Sequence, residues 1–165
     1  MARKVFYSFY YDEDGARVSQ VRNMGVVEGS PIATDHEWQS IKQGGDKAIQ
    51  AWIDGQMKGT SCCVVLIGKA TANRKWVNYE IDQAWKQRKG VLGVHIYELK
   101  NLQGEKSRKG PNPLDYVAIS PGRAVSTLAK TYDPPQVDSK EVYAHIKANL
   151  AKWIDEAVEI RSRAG

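Results

Sequence analysis

The residue of this chain best placed to do chemistry is a carboxylate set into the apolar stripe of an amphipathic helix. The segment Lys75–Arg88, KWVNYEIDQAWKQR, turns about 100° per residue as a helix, which gathers Trp76, Val77, Ile81, Ala84 and Trp85 on one half. Glu80 falls inside that half, one turn after Trp76, while Asp82, Lys86 and Gln87 lie at or beyond its edges. Apolar neighbours disfavour the charged form of a carboxyl, raise its pKa and cost stability unless a partner compensates. Glu80 is therefore a candidate site residue. The same periodicity is equally compatible with a helix-edge Glu80 that faces water and pairs with Arg74 or Arg88.

The elements around it follow from apolar patterning. Lys4–Tyr10 is rich in β-formers and stops before Asp12-Glu13-Asp14-Gly15, which predicts a first strand and its turn. A helix is expected over Ala16–Val27, with Val18, Val21 and Met24 inward. Gly29–Gly45 reads as loop, punctuated by Gly-Ser-Pro, Thr-Asp and Gly-Gly around Trp38. Asp46 is the expected cap of a helix carrying Ala48, Ile49, Trp52, Ile53 and Met57. Ser61–Gly68 (SCCVVLIG) and Val91–Tyr97 (VLGVHIY) are short and continuously apolar, as strands buried on both faces are. Gly68–Arg74 connects to the Glu80 helix, which Gly90 is expected to stop. Lys100–Pro113 is loop, a short strand is placed near Ala124–Leu128, and a closing helix spans Ser139–Arg163.

Apolar strands alternating with amphipathic helices imply an α/β fold, a parallel sheet with helices on both faces. No repeat or second domain is visible, so residues 1–165 are expected to form a single domain. In such folds ligands bind beyond the carboxyl ends of the strands. Ser8–Tyr11, the Gly68–Arg74 loop with the start of the Glu80 helix, and the loop after Tyr97 share that edge. Ser8, Trp76 and Glu80 are thus expected together.

Composition narrows the function classes. With 42% hydrophobic and 26% charged residues the chain is globular rather than disordered. The net charge of +5 is scattered in small clusters at Arg74–Lys75, Lys86–Lys89 and Lys106–Lys109. A nucleic-acid partner would call for a continuous basic face, so none is expected. Cys62 and Cys63 are neighbours in a strand and point to opposite faces, which suits neither a disulfide nor a metal. His36, His95 and His145 are dispersed, and no metal site is expected. No apolar run approaches the roughly 18 residues of a membrane span, and Met-Ala-Arg-Lys leads into a strand rather than a secretory leader. The expected setting is cytoplasmic, away from membranes. No Gly-x-Gly-x-x-Gly or P-loop spacing occurs.

FYSFYYDED, SCCVVLIG, NRKWVNYEI and KGPNPLDYV, in this order from Val5 to Val117, resemble the TIR-like proteins of the DUF1863 type. That family includes the ThsB component of bacterial Thoeris anti-phage systems. The resemblance implies a flavodoxin-like TIR fold that consumes NAD as substrate, with no bound cofactor. Enzymatic TIR domains carry a glutamate one helical turn after a tryptophan, and Trp76-x-x-x-Glu80 fits. The implied role of Glu80 is catalytic, in cleaving the nicotinamide–ribose bond. The implied product is a cyclic ADP-ribose isomer that activates a separate effector protein. A phage-derived trigger and homo-oligomerisation on activation are further implied partners.

Breaking that bond develops positive charge on the ribose, which an ionised carboxylate near the sugar stabilises. Nicotinamide leaves as a neutral base, so no strong acid is required. Hydrogen bonding must then keep Glu80 charged, with Ser8 or Asn73 as donors. Water capture of the cation gives linear ADP-ribose; capture by the same nucleotide gives a cycle, which needs a folded substrate. Tyr10, Trp76 and Tyr116 are the candidate stacking residues, against a plain packing role for each, and Ser8 is equally suited to be a small strand-end residue. Trp38 lies where TIR domains carry a variable loop over the site, as a lid, a partner contact or a loop anchor. Two other classes compete with the enzyme. A TIR assembly module would dispense with Glu80, and a receiver-like regulator would want an Asp at the end of the Cys62–Gly68 strand, where there is none.

Overall fold

The computed structural model describes residues 3–30, 33 and 35–165. Five strands form one sheet in the order β2-β1-β3-β4-β7, all pairings parallel. They are β1 (Lys4–Ser8), β2 (Glu28–Gly29), β3 (Cys62–Ile67), β4 (Gly90–His95) and β7 (Thr131–Tyr132). β5 (Ala118–Ser120) and β6 (Arg123–Ala124) pair separately as a small antiparallel ribbon. The helices are α1 (Tyr11–Arg22), α2 (Asp35–Gln43), α3 (Gly45–Met57), α4 (Lys75–Lys86) and α5 (Ser139–Arg163).

Alternation along the strands builds a core on each face. Val5, Tyr7, Cys62, Val64 and Leu66 pack with Val18 and Val21 of α1 and with Val142, Ile146, Leu150 and Trp153 of α5. Phe6, Cys63, Val65 and Ile67 pack against Ile49, Ile53 and Met57 of α3 and Val77, Ile81 and Trp85 of α4. Cys62 and Cys63 are accordingly buried on opposite faces. Ser8 shares its face with Phe6, so the end of β1 looks toward α4. No helix among the described residues is long and apolar enough to cross a membrane.

Several boundaries differ from the sequence expectation. The first helix starts at Tyr11, because Asp12, Glu13 and Asp14 sit in its first turn, where the helix dipole favours acids. It ends at Arg22, and Gly25 beyond it is in the left-handed region at φ 72°. The span read as loop over Gly29–Gly45 contains the end of β2 and all of α2, while Pro31, Ile32 and Thr34 lie outside the described residues. Asp46 is inside α3, whose cap is Gly44. Ala124–Leu128 holds the end of β6 and a 3-10 turn over Val125–Thr127. Arg88, at φ 61°, takes the left-handed position after α4 that was expected of Gly90.

Gly90 is needed for another reason. A Cβ there would lie 2.7 Å from the Val158 backbone nitrogen, where α5 crosses the start of β4. Backbone cannot yield as a side chain can. Gly90→Ala is expected to cost about 1–3 kcal/mol, read as a lower urea midpoint at unchanged slope; an unchanged midpoint would show that α5 is not seated so closely.

Candidate active site

α4 buries Val77, Glu80, Ile81, Ala84 and Trp85, so the helix turns its carboxylate inward with its apolar stripe. Glu80 is 7% exposed and Ser8 fully buried. The Ser8 hydroxyl donates to Glu80 Oε1 at 2.6 Å, joining the end of β1 to the second turn of α4. Neither Arg74 nor Arg88 pairs with it. Burial pushes the Glu80 carboxyl up to about 8, while the Ser8 hydrogen bond pulls it the other way. The unliganded site therefore holds this group mostly as the neutral acid at pH 7.

Glu80 lies in the floor of a cavity of about 340 Å³, within the range of small-molecule sites. Much of the rest of its wall is aromatic. Phe9, Tyr10 and Tyr11 leave the end of β1, and Trp38, Trp52 and Trp76 come from α2, α3 and α4. Ring centroids are 5.7 Å apart for Phe9–Tyr11, 5.2 Å for Tyr11–Trp38 and 6.0 Å for Trp38–Trp52. The Tyr11 hydroxyl donates to the Ala33 carbonyl at 2.6 Å. Tyr10 carries the Arg74 guanidinium 3.9 Å from its ring centre.

Asn73 and Tyr116 are not brought into this cavity. Asn73, at φ 59°, accepts a hydrogen bond from the Asn78 side chain at 3.1 Å and borders a shallow depression with Lys69, Pro111 and Tyr116. Its side chain is committed to the outside of α4, which leaves Ser8 as the donor to Glu80. Tyr116 is 48% exposed at the end of the 3-10 turn Pro113–Tyr116, which the Asn112 side chain caps through Leu114 N–H. The cavity residues that the sequence did not mark as binding residues include Phe9, Tyr11, Lys42, Trp52 and Arg74. Among the described residues no three His, Cys, Asp or Glu side chains gather as a metal would need.

Residues 6–101 match the family described as Thoeris protein ThsB, TIR-like domain. The chain belongs to that family. Its matched span holds Ser8, Trp38, Trp76 and Glu80 and excludes Tyr116. The chain is also similar to the "Putative cyclic ADP-D-ribose synthase ThsB1" of Bacillus cereus (strain MSX-D12), 38% identical over 122 residues. That alignment covers 71% of this chain, and the chain spans 64% of the relative's length.

The protonation state of Glu80 leaves a mark on stability. Its folded pKa of about 8 is above the ordinary carboxylate value of about 4.5, so between these values the folded chain holds a proton that the unfolded chain has released. The stability this confers is fully present below about 4.5 and is lost as the pH rises through about 8. Glu80→Gln keeps an acceptor for Ser8 and removes the titration. The melting temperature of the variant is expected to match wild type near pH 4.5 and to gain on it steadily up to pH 8, then level off. A difference constant from pH 5 to 9 would show that the carboxyl is not shifted.

Proposed function

We propose that this protein cleaves the nicotinamide–ribose bond of NAD and closes the remaining nucleotide into a cyclic ADP-ribose-type product. The observation that carries this is the buried Glu80 carboxyl, held by Ser8, in the floor of an aromatic-walled cavity. The family and the printed name of the Bacillus cereus relative support the same chemistry.

Glu80 is proposed as the catalytic residue, acting as carboxylate. The charged nicotinamide ring of NAD, and then the developing ribosyl cation, would favour that form. A cation about 4 Å away contributes on the order of 4 kcal/mol at an effective dielectric of 20, and about 1.4 kcal/mol moves a pKa by one unit. Substrate therefore ionises a group that is neutral in its absence. Ser8 fixes the carboxylate's orientation, and Tyr10 and Trp76 line the space in which the nucleotide folds. Water captures the cation when the adenine end is not brought close, giving linear ADP-ribose.

Residues 1–165 are proposed to act as one TIR-like domain in the cytoplasm, with NAD as substrate and no bound cofactor. Its nucleotide product is proposed to activate a separate Thoeris effector, with a phage-derived trigger and self-association switching the domain on.

The deciding experiment is chromatography with mass spectrometry of nucleotides from cells expressing the protein, infected and uninfected. A new species at the mass of cyclic ADP-ribose is expected, with more than about a hundredfold loss in Glu80→Gln. In the purified protein, kcat/KM should rise with pH up to about 8, because the free site must lose its proton, and the limb in kcat should lie lower. Unchanged NAD with and without phage would sink the enzyme and leave the assembly module. A rate that falls above pH 8 would make Glu80 a proton donor instead.

A further inference from the structure

The cavity has two chemically distinct ends. Its floor is the buried Glu80, which Ser8 holds from behind. At its more exposed end stand Lys42 of α2, Arg74 at the cap of α4 and Lys75, with Asp12 near Lys42. The cationic rim attracts a phosphate and the buried carboxyl floor offers it no positive partner, so an extended anionic ligand is oriented with its phosphates at the rim.

Arg74 is arranged for such a group. Its Nε donates to the Ala70 carbonyl at 2.8 Å and its guanidinium lies on the Tyr10 ring at 3.9 Å, which fixes the plane of the fork. No ion pair among the described residues includes it. A planar, ring-stacked guanidinium with uncommitted charge suits bidentate phosphate binding. Among the described residues Lys42 forms an ion pair with Asp12 alone, at 3.9 Å and partly exposed, and such pairs exchange readily for a better anion. Lys75 differs, being taken up by Asp46. Trp38, half-buried, lines the cavity next to Tyr11 and Trp52, its ring tilted to both, with Lys42 Nζ 5.7 Å from its ring centre. A half-buried indole that borders the cavity beside a cation is placed to stack on a nucleobase.

We propose that α2 and Arg74 form a nucleoside-diphosphate subsite, with Lys42 and Arg74 gripping the diphosphate and Trp38 stacking on its base. This deepens the function proposed above and rests on it for the identity of the whole substrate. The subsite selects dinucleotides over nicotinamide nucleosides and holds the second base over the cavity, where a folded nucleotide needs it.

ADP is the probe, because it carries the diphosphate and a base but no nicotinamide–ribose bond. Binding to the full chain is followed by tryptophan fluorescence and calorimetry, with thermal melting to verify the fold of each variant. Wild type is expected to bind ADP with affinity that falls as salt rises. Lys42→Gln and Arg74→Gln should each weaken it about tenfold. Trp38→Ala should weaken ADP similarly and leave inorganic pyrophosphate untouched, with Trp38→Phe restoring most of the loss. ADP that fails to bind wild type, or binds both charge variants as tightly as wild type, overturns the subsite. NAD cleavage with unchanged KM in Lys42→Gln and Arg74→Gln also overturns it while leaving the enzyme intact. ADP binding that obeys these variants in a protein unable to cleave NAD would uphold the subsite and defeat the enzyme.

Discussion

A carboxyl group largely withdrawn from water needs a hydrogen bond inside the protein, and Glu80 finds it at the last residue of β1. That single requirement couples the helix to the strand. Ser8 is available only because alternation along β1 puts it on the same face as Phe6, and Glu80 reaches it only because Val77 and Ile81 seat α4 on that face. The apolar flanks thus do two jobs: they fasten the helix and they set the dielectric around the acid. A bound cation inside the cavity would reverse the preference that burial creates.

The outer loops are braced by a second buried pair. Arg17 of α1 meets Asp14 at 3.1 Å and donates to the carbonyls of Leu99 and Glu105 at 2.8 and 2.9 Å. The loop after β4 is thereby held to the first helix. Burial raises the Asp14 carboxyl against the pull of Arg17, and its second oxygen, without a partner among the described residues, faces Gly68, where a Cβ would lie 2.1 Å away. Gly110 in turn packs its backbone on the Gly68 and Lys69 carbonyls. The approach to α4 is fixed from both sides, which gives Arg74 a firm footing.

The sequence made the central strands and α5 legible because their signals are redundant. β3 and β4 are continuously apolar, and α5 keeps one face over its whole length with Asp138 as a true cap. The inward face of α4, Glu80 included, was legible for the same reason. α1 begins earlier than its sequence suggests because an acidic triplet suits a turn and the first turn of a helix alike. α2 is short and glycine-flanked, so its Trp38 and Ile41 spacing was too little signal; the outer half of the cavity was hidden with it. β7 has two residues and takes its identity from β4 alone. Asn73 and Tyr116 sit at the right edge of the sheet but on its outer side, a distinction that backbone conformation makes and residue order does not.

The two adjacent cysteines offer a vantage on all of this. Each thiol is buried, burial pushes both up, and they belong to different layers, Cys62 under α1 and α5 and Cys63 under α3 and α4. In the native state neither is a nucleophile. Any excursion that lifts one helical layer uncovers one sulfur and not its neighbour, so the molecule carries a built-in pair of reporters on the independent opening of its two faces.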